Sequence, residues 1–182
     1  MSVTINASTT SGLVMTSDLS GTLSLQSNGV AVTMPAVAGT MMVSGNMPAF
    51  SAYATAATTI TNATWTKLTF DVKTFDTNNN FASSRFTPTV AGYYQLSASW
   101  QAGFTSSFGG IQIYKNGSSY QYGSFIPATS VGTQVGMSNL VYCNGTTDYV
   151  EVYAYQTTGL SQNTTVTGIN TTWFSGAMVR TA

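Results

Sequence analysis

The sequence predicts an all-β protein, a two-sheet antiparallel jelly-roll sandwich preceded by an extended, β-rich N-terminal arm. Three observations carry that reading. Helical periodicity is absent, because Leu, Ala, Glu and Lys nowhere recur at helical spacing over even three turns. Runs of Thr, Val, Tyr, Phe and Ile alternate with small polar residues, which is the period of a pleated strand with one covered face. The pairs Asn28-Gly29, Asn116-Gly117 and Asn144-Gly145 punctuate those runs and supply the positive backbone dihedrals of hairpins and tight corners.

The arm comes first. Residues 1–45 are rich in Ser, Thr, Gly and small aliphatics, contain no Phe, Tyr or Trp, and carry one charge, Asp18. A segment without large side chains cannot build a packed core by itself, so residues 1–46 are expected to gain order on a partner surface. Short runs at 22–26, 30–34 and 40–43, separated by Asn28-Gly29 and Ala38-Gly39, read as its strands. The residues assigned to attachment are Leu13, Val14, Leu23, Leu25, Val30 and Val32.

The second domain, 47–182, holds every aromatic residue. Its strands show their faces directly. Tyr94, Leu96, Ala98 and Trp100 point one way, and Gln95, Ser97 and Ser99 the other. Val150, Val152 and Ala154 alternate with Glu151, Tyr153 and Tyr155. In the last strand Phe174, Gly176 and Met178 share one face, with Ser175, Ala177 and Val179 on the other. Both of those faces are largely apolar, which predicts cover on one side by the second sheet and on the other by a neighbouring subunit. The number and spacing of strands are those of a jelly roll with Greek-key connections.

Charge limits the partners. Only 5% of the 182 residues are charged, and the formal net charge is zero. Five cations spread along the chain cannot form the basic face that nucleic acid demands, and an anionic membrane is disfavoured on the same ground. No stretch approaches the roughly 20 apolar residues of a membrane helix. Thr, Ser and Asn take over the solvation that charges usually provide, and such a surface responds little to salt. Cys143 is alone, sits among apolar strand residues and reads as a buried thiol. Residues 1–7 lack the basic start and apolar run of an export signal. The expectation is synthesis in a host cytoplasm without a signal peptide and residence on the surface of an extracellular particle, a virion.

Several blocks of the second domain resemble the globular head of the complement C1q-like family, within the tumour-necrosis-factor-like jelly rolls. Pro48-Ala49-Phe50-Ser51-Ala52-Tyr53 is similar to that family's first strand, and Trp65-Thr66-Lys67-Leu68-Thr69-Phe70-Asp71 with Phe75-Asp76-Thr77-Asn78-Asn79-Asn80-Phe81 to its second block. The most specific block is Arg85-Phe86-Thr87-Pro88-Thr89-Val90-Ala91-Gly92-Tyr93-Tyr94-Gln95-Leu96. Ile113-Tyr114-Lys115-Asn116-Gly117 and Phe174-Ser175-Gly176-Ala177-Met178-Val179 match two further strands. The chain departs from the pattern at Thr146-Thr147-Asp148-Tyr149-Val150, where the family has Gly-Asp. The arm, from Ser11-Gly12-Leu13-Val14 through Ser24-Leu25-Gln26-Ser27-Asn28-Gly29, resembles the opening of tail-fibre and head-fibre proteins of tailed bacteriophages. The head resemblance implies association about a threefold axis. Candidates for that interface are Phe50 and Tyr53 on the first strand, Tyr153 and Tyr155, and Phe174 and Met178 on the last.

Catalytic chemistry is thin. There is no His, the usual base and zinc ligand. Asp148 and Glu151 point to different faces, and Asp71 and Asp76 read as solvated surface acids, so no catalytic residue is assigned. Asp76, Asn78 and Asn80 are the nearest approach to a calcium site, but Thr and Asn supply little charge, and neither metal nor cofactor is expected. Asn62, Asn116, Asn144, Asn163 and Asn170 begin Asn-X-Ser/Thr triplets, read as chance in a chain of this composition. Tyr114, Tyr120 and Tyr122 cluster near a turn and are the candidate glycan contacts. The sequence therefore predicts a non-enzymatic bacteriophage virion protein, a homotrimeric head decoration or short fibre held by its arm to a major capsid or tail protein. The alternative is a host-glycan-binding adhesin at a tail-fibre tip.

Overall fold

A computed structural model of the chain describes residues 23–27, 30–34, 45, 47–166 and 171–182, the first two stretches as backbone. The chain divides into two compact units, Met1–Thr40 and Met41–Ala182. In the first, β1 (Leu23–Ser27) and β2 (Val30–Met34) pair antiparallel with Ser27 opposite Val30, as a two-residue hairpin link requires. Leu13, Val14, the run 40–43 and the pair Asn28-Gly29 lie outside the described residues.

The second unit holds β3 (Ala49–Tyr53), β4 (Thr59–Ile60), β5 (Thr66–Lys67), β6 (Val72–Asp76), β7 (Phe81–Ala82), β8 (Arg85–Phe86), β9 (Gly92–Gln101), β10 (Ser106–Lys115), β11 (Ser118–Ala128), β12 (Gln134–Cys143), β13 (Val150–Gln156), β14 (Gln162–Asn163) and β15 (Trp173–Thr181). Sheet I runs β12-β9-β15-β3-β6. Sheet II runs β11-β10-β13-β8-β7, with β5 added against β13. All described pairings are antiparallel, and spatial neighbours are mostly not sequence neighbours, so the chain crosses repeatedly between layers in the manner of a jelly roll. The Asn116-Gly117 link behaves as its sequence demands: both residues have positive φ, 55° and 77°, and Lys115 faces Ser118 across the hairpin.

Alternation places the core between the sheets. Tyr94, Leu96, Ala98 and Trp100 of β9 are all buried, as are Val150, Val152 and Ala154 of β13. Phe50 forms the centre of an aromatic cluster, with ring centroids 4.4 Å from Phe86 and 4.9 Å from both Phe81 and Phe174. Trp100 ties the layers together, because its indole N–H donates across the sandwich to the Gly110 carbonyl at 3.0 Å. Cys143 is buried, as its neighbours predicted.

Three residues assigned to the subunit interface belong instead to this core. Phe50 is 1% exposed, Phe174 0% and Met178 3%. These side chains lie on the inward faces of β3 and β15. Period-two alternation tells which residues share a face and leaves open which face turns inward.

Candidate assembly and binding faces

The outward face of sheet I follows from its register. Ser51 of β3 pairs with Ser175 of β15, Ser175 with Ser97 of β9, and Ser97 with Ser138 of β12. A row of serines thus crosses the sheet, and Phe75, opposite Ser51 on β6, ends it. The rows on either side read Ala49, Ala177, Gln95, Leu140 and Tyr53, Trp173, Ser99, Gly136. None of these residues is charged. Ser97 and Gln95 bond Ser138 Oγ, each at 2.8 Å, which fixes the row laterally. The small residues leave a shallow depression of about 290 Å³ bordered by Phe75, Gln95, Ser97, Ser175 and Ala177. Phe75, on its border, stands half exposed, as does Leu140, opposite Gln95 on β12.

The outward face of sheet II is aromatic. Trp65 lies 5.1 Å from Tyr155 and 5.6 Å from Tyr122, Tyr155 lies 5.6 Å from Phe125, and Phe125 stacks on Phe108 at 5.3 Å. Gly110 makes the arrangement possible: a Cβ there would stand 2.6 Å from the Phe125 ring and 3.0 Å from Trp65. The ladder between β10 and β11 slips between Gly110/Phe125 and Gln112/Tyr122. That bulge brings Tyr122 and Phe125 to one face although they are an odd number of residues apart. At the far end of the sheet Tyr114 stacks on Tyr153, with centroids 3.8 Å apart. Gln112 is fully buried here; its Nε2 donates to Ser119 Oγ, and its Oε1 has no partner among the described residues.

The described carboxylates are all engaged. Glu151 accepts Lys67 Nζ at 2.7 Å and Arg85 at 2.9 Å, and the Arg85 guanidinium lies 3.8 Å from the Tyr149 ring centre. Burial pushes the Glu151 carboxyl up, but the hydrogen bonds and charges of Lys67 and Arg85 outweigh it and hold the group below its ordinary range. Asp148 balances in the same way, burial opposed by Asn116, Lys115 and the Asn144 N–H, with a lowered result. Asp71 is lowered by Thr55, whose hydroxyl and N–H both donate to it. Asp76 accepts the N–H groups of Asn80 and Phe81 and the Lys73 ammonium, so the Asp76, Asn78 and Asn80 cluster forms a capped turn. Asn144 organises the turn that leads into β13, since its Oδ1 accepts the N–H groups of Thr146, Thr147 and Asp148. Burial raises the Cys143 thiol to about 11.

Of the remaining interface candidates, Tyr53 lies on the outward face of sheet I, whereas Tyr153 and Tyr155 lie on the outward face of sheet II. The three glycan candidates also separate: Tyr122 touches Trp65, Tyr114 stacks on Tyr153 at the other end, and Tyr120 is exposed near Lys115. Sequence reasoning missed Phe108, Phe125, Trp65 and the serine row. Phe108, Gly110, Gln112 and Tyr114 do alternate in β10, which was a legible sign of one outward face.

No family model and no curated protein matches the sequence. Solved structures do. The globular domain of zebrafish complement 1qA protein matches with a TM-score of 0.56 at 17% identity, covering 74% of this chain and 98% of that one. Murine APRIL matches with a TM-score of 0.57 at 8% identity, covering 73% and 99%. The vertex protein P5 of PRD1 matches with a TM-score of 0.52 at 14% identity, covering 97% of this chain and 91% of that protein. The fold is therefore a jelly roll like those of the complement 1qA globular domain and APRIL, and vertex protein P5 shares it. Among the described residues, no helix is long and apolar enough to cross a membrane.

Proposed function

We propose that this chain is a structural protein of a bacteriophage virion, a homotrimeric head decoration or short fibre anchored by residues 1–46, which acts by assembly and not by catalysis. The observation that carries the reading is the reach of the likeness to vertex protein P5. It extends over 97% of this chain, where the zebrafish and murine structures cover 74% and 73%. Of these three likenesses, that to vertex protein P5 extends past the jelly roll into residues 1–46. The engaged carboxylates and the absence of His favour a non-enzymatic role.

Subunits associate, in this reading, through the outward face of sheet I. A row of serines, alanines and glycine lets a neighbour's backbone approach closely, and exposed Phe75, Leu140 and Val179 supply apolar area that a monomer would leave wet. The interface thus keeps the first and last strands and replaces Phe50, Phe174 and Met178 by Ser51, Ser175, Ala177 and Val179. The test is to locate the chain in intact particles and to repeat the assembly with residues 1–46 deleted. The proposal expects a folded trimer that no longer joins the particle. A truncated protein that still attaches contradicts the role of the arm, and a particle lacking the chain contradicts the virion reading.

A further inference from the structure

Where β10 begins and β11 and β13 end, an open cleft of about 450 Å³ is bordered by the hydroxyl residues Thr105, Ser106, Ser107, Thr129, Thr157 and Thr158, and by no charged residue. Two of these hydroxyls are already used. Ser106 Oγ donates to the Phe108 carbonyl at 2.8 Å and accepts the Thr157 N–H at 3.1 Å, and Thr158 Oγ1 donates to the Leu160 carbonyl at 2.9 Å. Thr157 Oγ1, by contrast, is buried with no partner among the described residues. A buried hydroxyl without a partner is costly. Its presence at a cleft points to a ligand that supplies the missing bond.

The aromatic strip of sheet II forms a rim beside the cleft, because Phe108, one step past the Gly109/Gln156 pair, lies across from Thr157, which lines it. Phe108 follows Ser107 directly and stacks on Phe125, the two rings inclined by 15°. They are 46% and 48% exposed, so their outer faces are free among the described residues. The strip continues through Tyr155 to Trp65 and Tyr122, and Gln112, which pairs with Tyr122 in the ladder, carries the second unpartnered buried polar atom, Oε1.

We infer that the cleft and the strip together bind a neutral oligosaccharide. A pyranose has an apolar C–H face, which stacks on an exposed ring, and hydroxyls, which act as donor and acceptor toward Thr, Ser and Gln side chains. The volume is that of a small-molecule site, within about 300–1,000 Å³. Charge selects the class. Neither the cleft nor the five rings include a charged residue, so an anionic sugar would give up hydration with no cation to replace it. The assignment supplies a ligand class for the glycan contact expected from the sequence. It moves that contact from Tyr114 and Tyr120 to Phe108, Phe125 and Thr157, and it holds wherever on a particle the chain stands.

The test is calorimetric titration of the full chain with neutral hexasaccharides of glucose, galactose, mannose and N-acetylglucosamine, with hexagalacturonate as the anionic counterpart. Saturable binding of at least one neutral probe is expected, with a change in Trp65 fluorescence that disappears in Trp65→Phe. Phe125→Ala and Thr157→Val should each weaken that binding about tenfold or more, at unchanged melting temperature and oligomeric state. Phe108→Ala serves in place of Phe125→Ala if the latter does not fold. No saturable binding of any neutral probe, tighter binding of hexagalacturonate, or undiminished affinity in both the cleft and the rim variant would overturn the site. A change of oligomeric state in Phe125→Ala would also overturn it, by assigning the strip to a protein interface.

Discussion

The two sheets of the head bury the same kind of side chain and turn opposite chemistry outward. Sheet I presents serines, alanines and a glycine in register, flat enough to leave a depression across its middle. Sheet II presents stacked rings that stand on Gly110, while Glu151 holds Lys67 and Arg85 toward the other end of the sheet, where it pairs with Tyr114. In a chain with 5% charge, surfaces cannot be distinguished by sign. Side-chain size does that work here: a face of small residues admits another backbone, and a face of rings offers a platform to a ligand.

The largest effect expected lies beneath both faces. Phe50→Ala removes the ring shared by Phe81, Phe86 and Phe174 and should cost about 3 to 5 kcal/mol, read as a lower denaturant midpoint. Leu96→Ala, on the buried face of β9, should cost about 2 to 5 kcal/mol. Dissociation of subunits without loss of monomer stability in Phe50→Ala would return that residue to the interface.

Ser175→Arg separates the faces more sharply. Placed in the middle of the serine row, the new cation would be buried unpaired on association, at a cost of several kcal/mol. Sedimentation should show a folded monomer. The same substitution at Tyr122, on sheet II and 63% exposed, should leave the assembly intact. Equal behaviour of the two variants would erase the distinction between the faces.

Acid should act on sheet II and its adjoining turn through their engaged carboxylates. The folded pKa of Glu151 lies below its ordinary 4.5 and that of Asp148 below 3.8. The stability they contribute is therefore complete above those ordinary values and is lost as pH falls through the lower, folded ones. Unfolding midpoints measured from pH 7 downward should stay level to about pH 5 and then decline, and Glu151→Gln should flatten the decline. The smallest effect concerns Cys143, whose buried thiol, raised to about 11, should resist a thiol reagent until the head unfolds.

Much of the fold was legible because β9, β13 and the Asn116-Gly117 turn obey local rules that tertiary packing does not override. The sites were less so, for two physical reasons. Alternation in β3 and β15 is symmetric, so Phe50, Phe174 and Met178 could be placed on a strand but not on a side of it. The slip between β10 and β11 breaks parity, so Tyr122 and Phe125 share a face that no count along β11 would give them. The cleft at Thr157 draws its hydroxyls from the ends of three strands that only the finished sheet brings together.

The most direct test of the account is the mass of the full chain in solution at low and at molar salt. An interface made by the uncharged rows of sheet I predicts three chain masses under both conditions, because there is almost no ion pairing for salt to screen. A monomer at working concentrations, or a trimer that falls apart as salt rises, would contradict it.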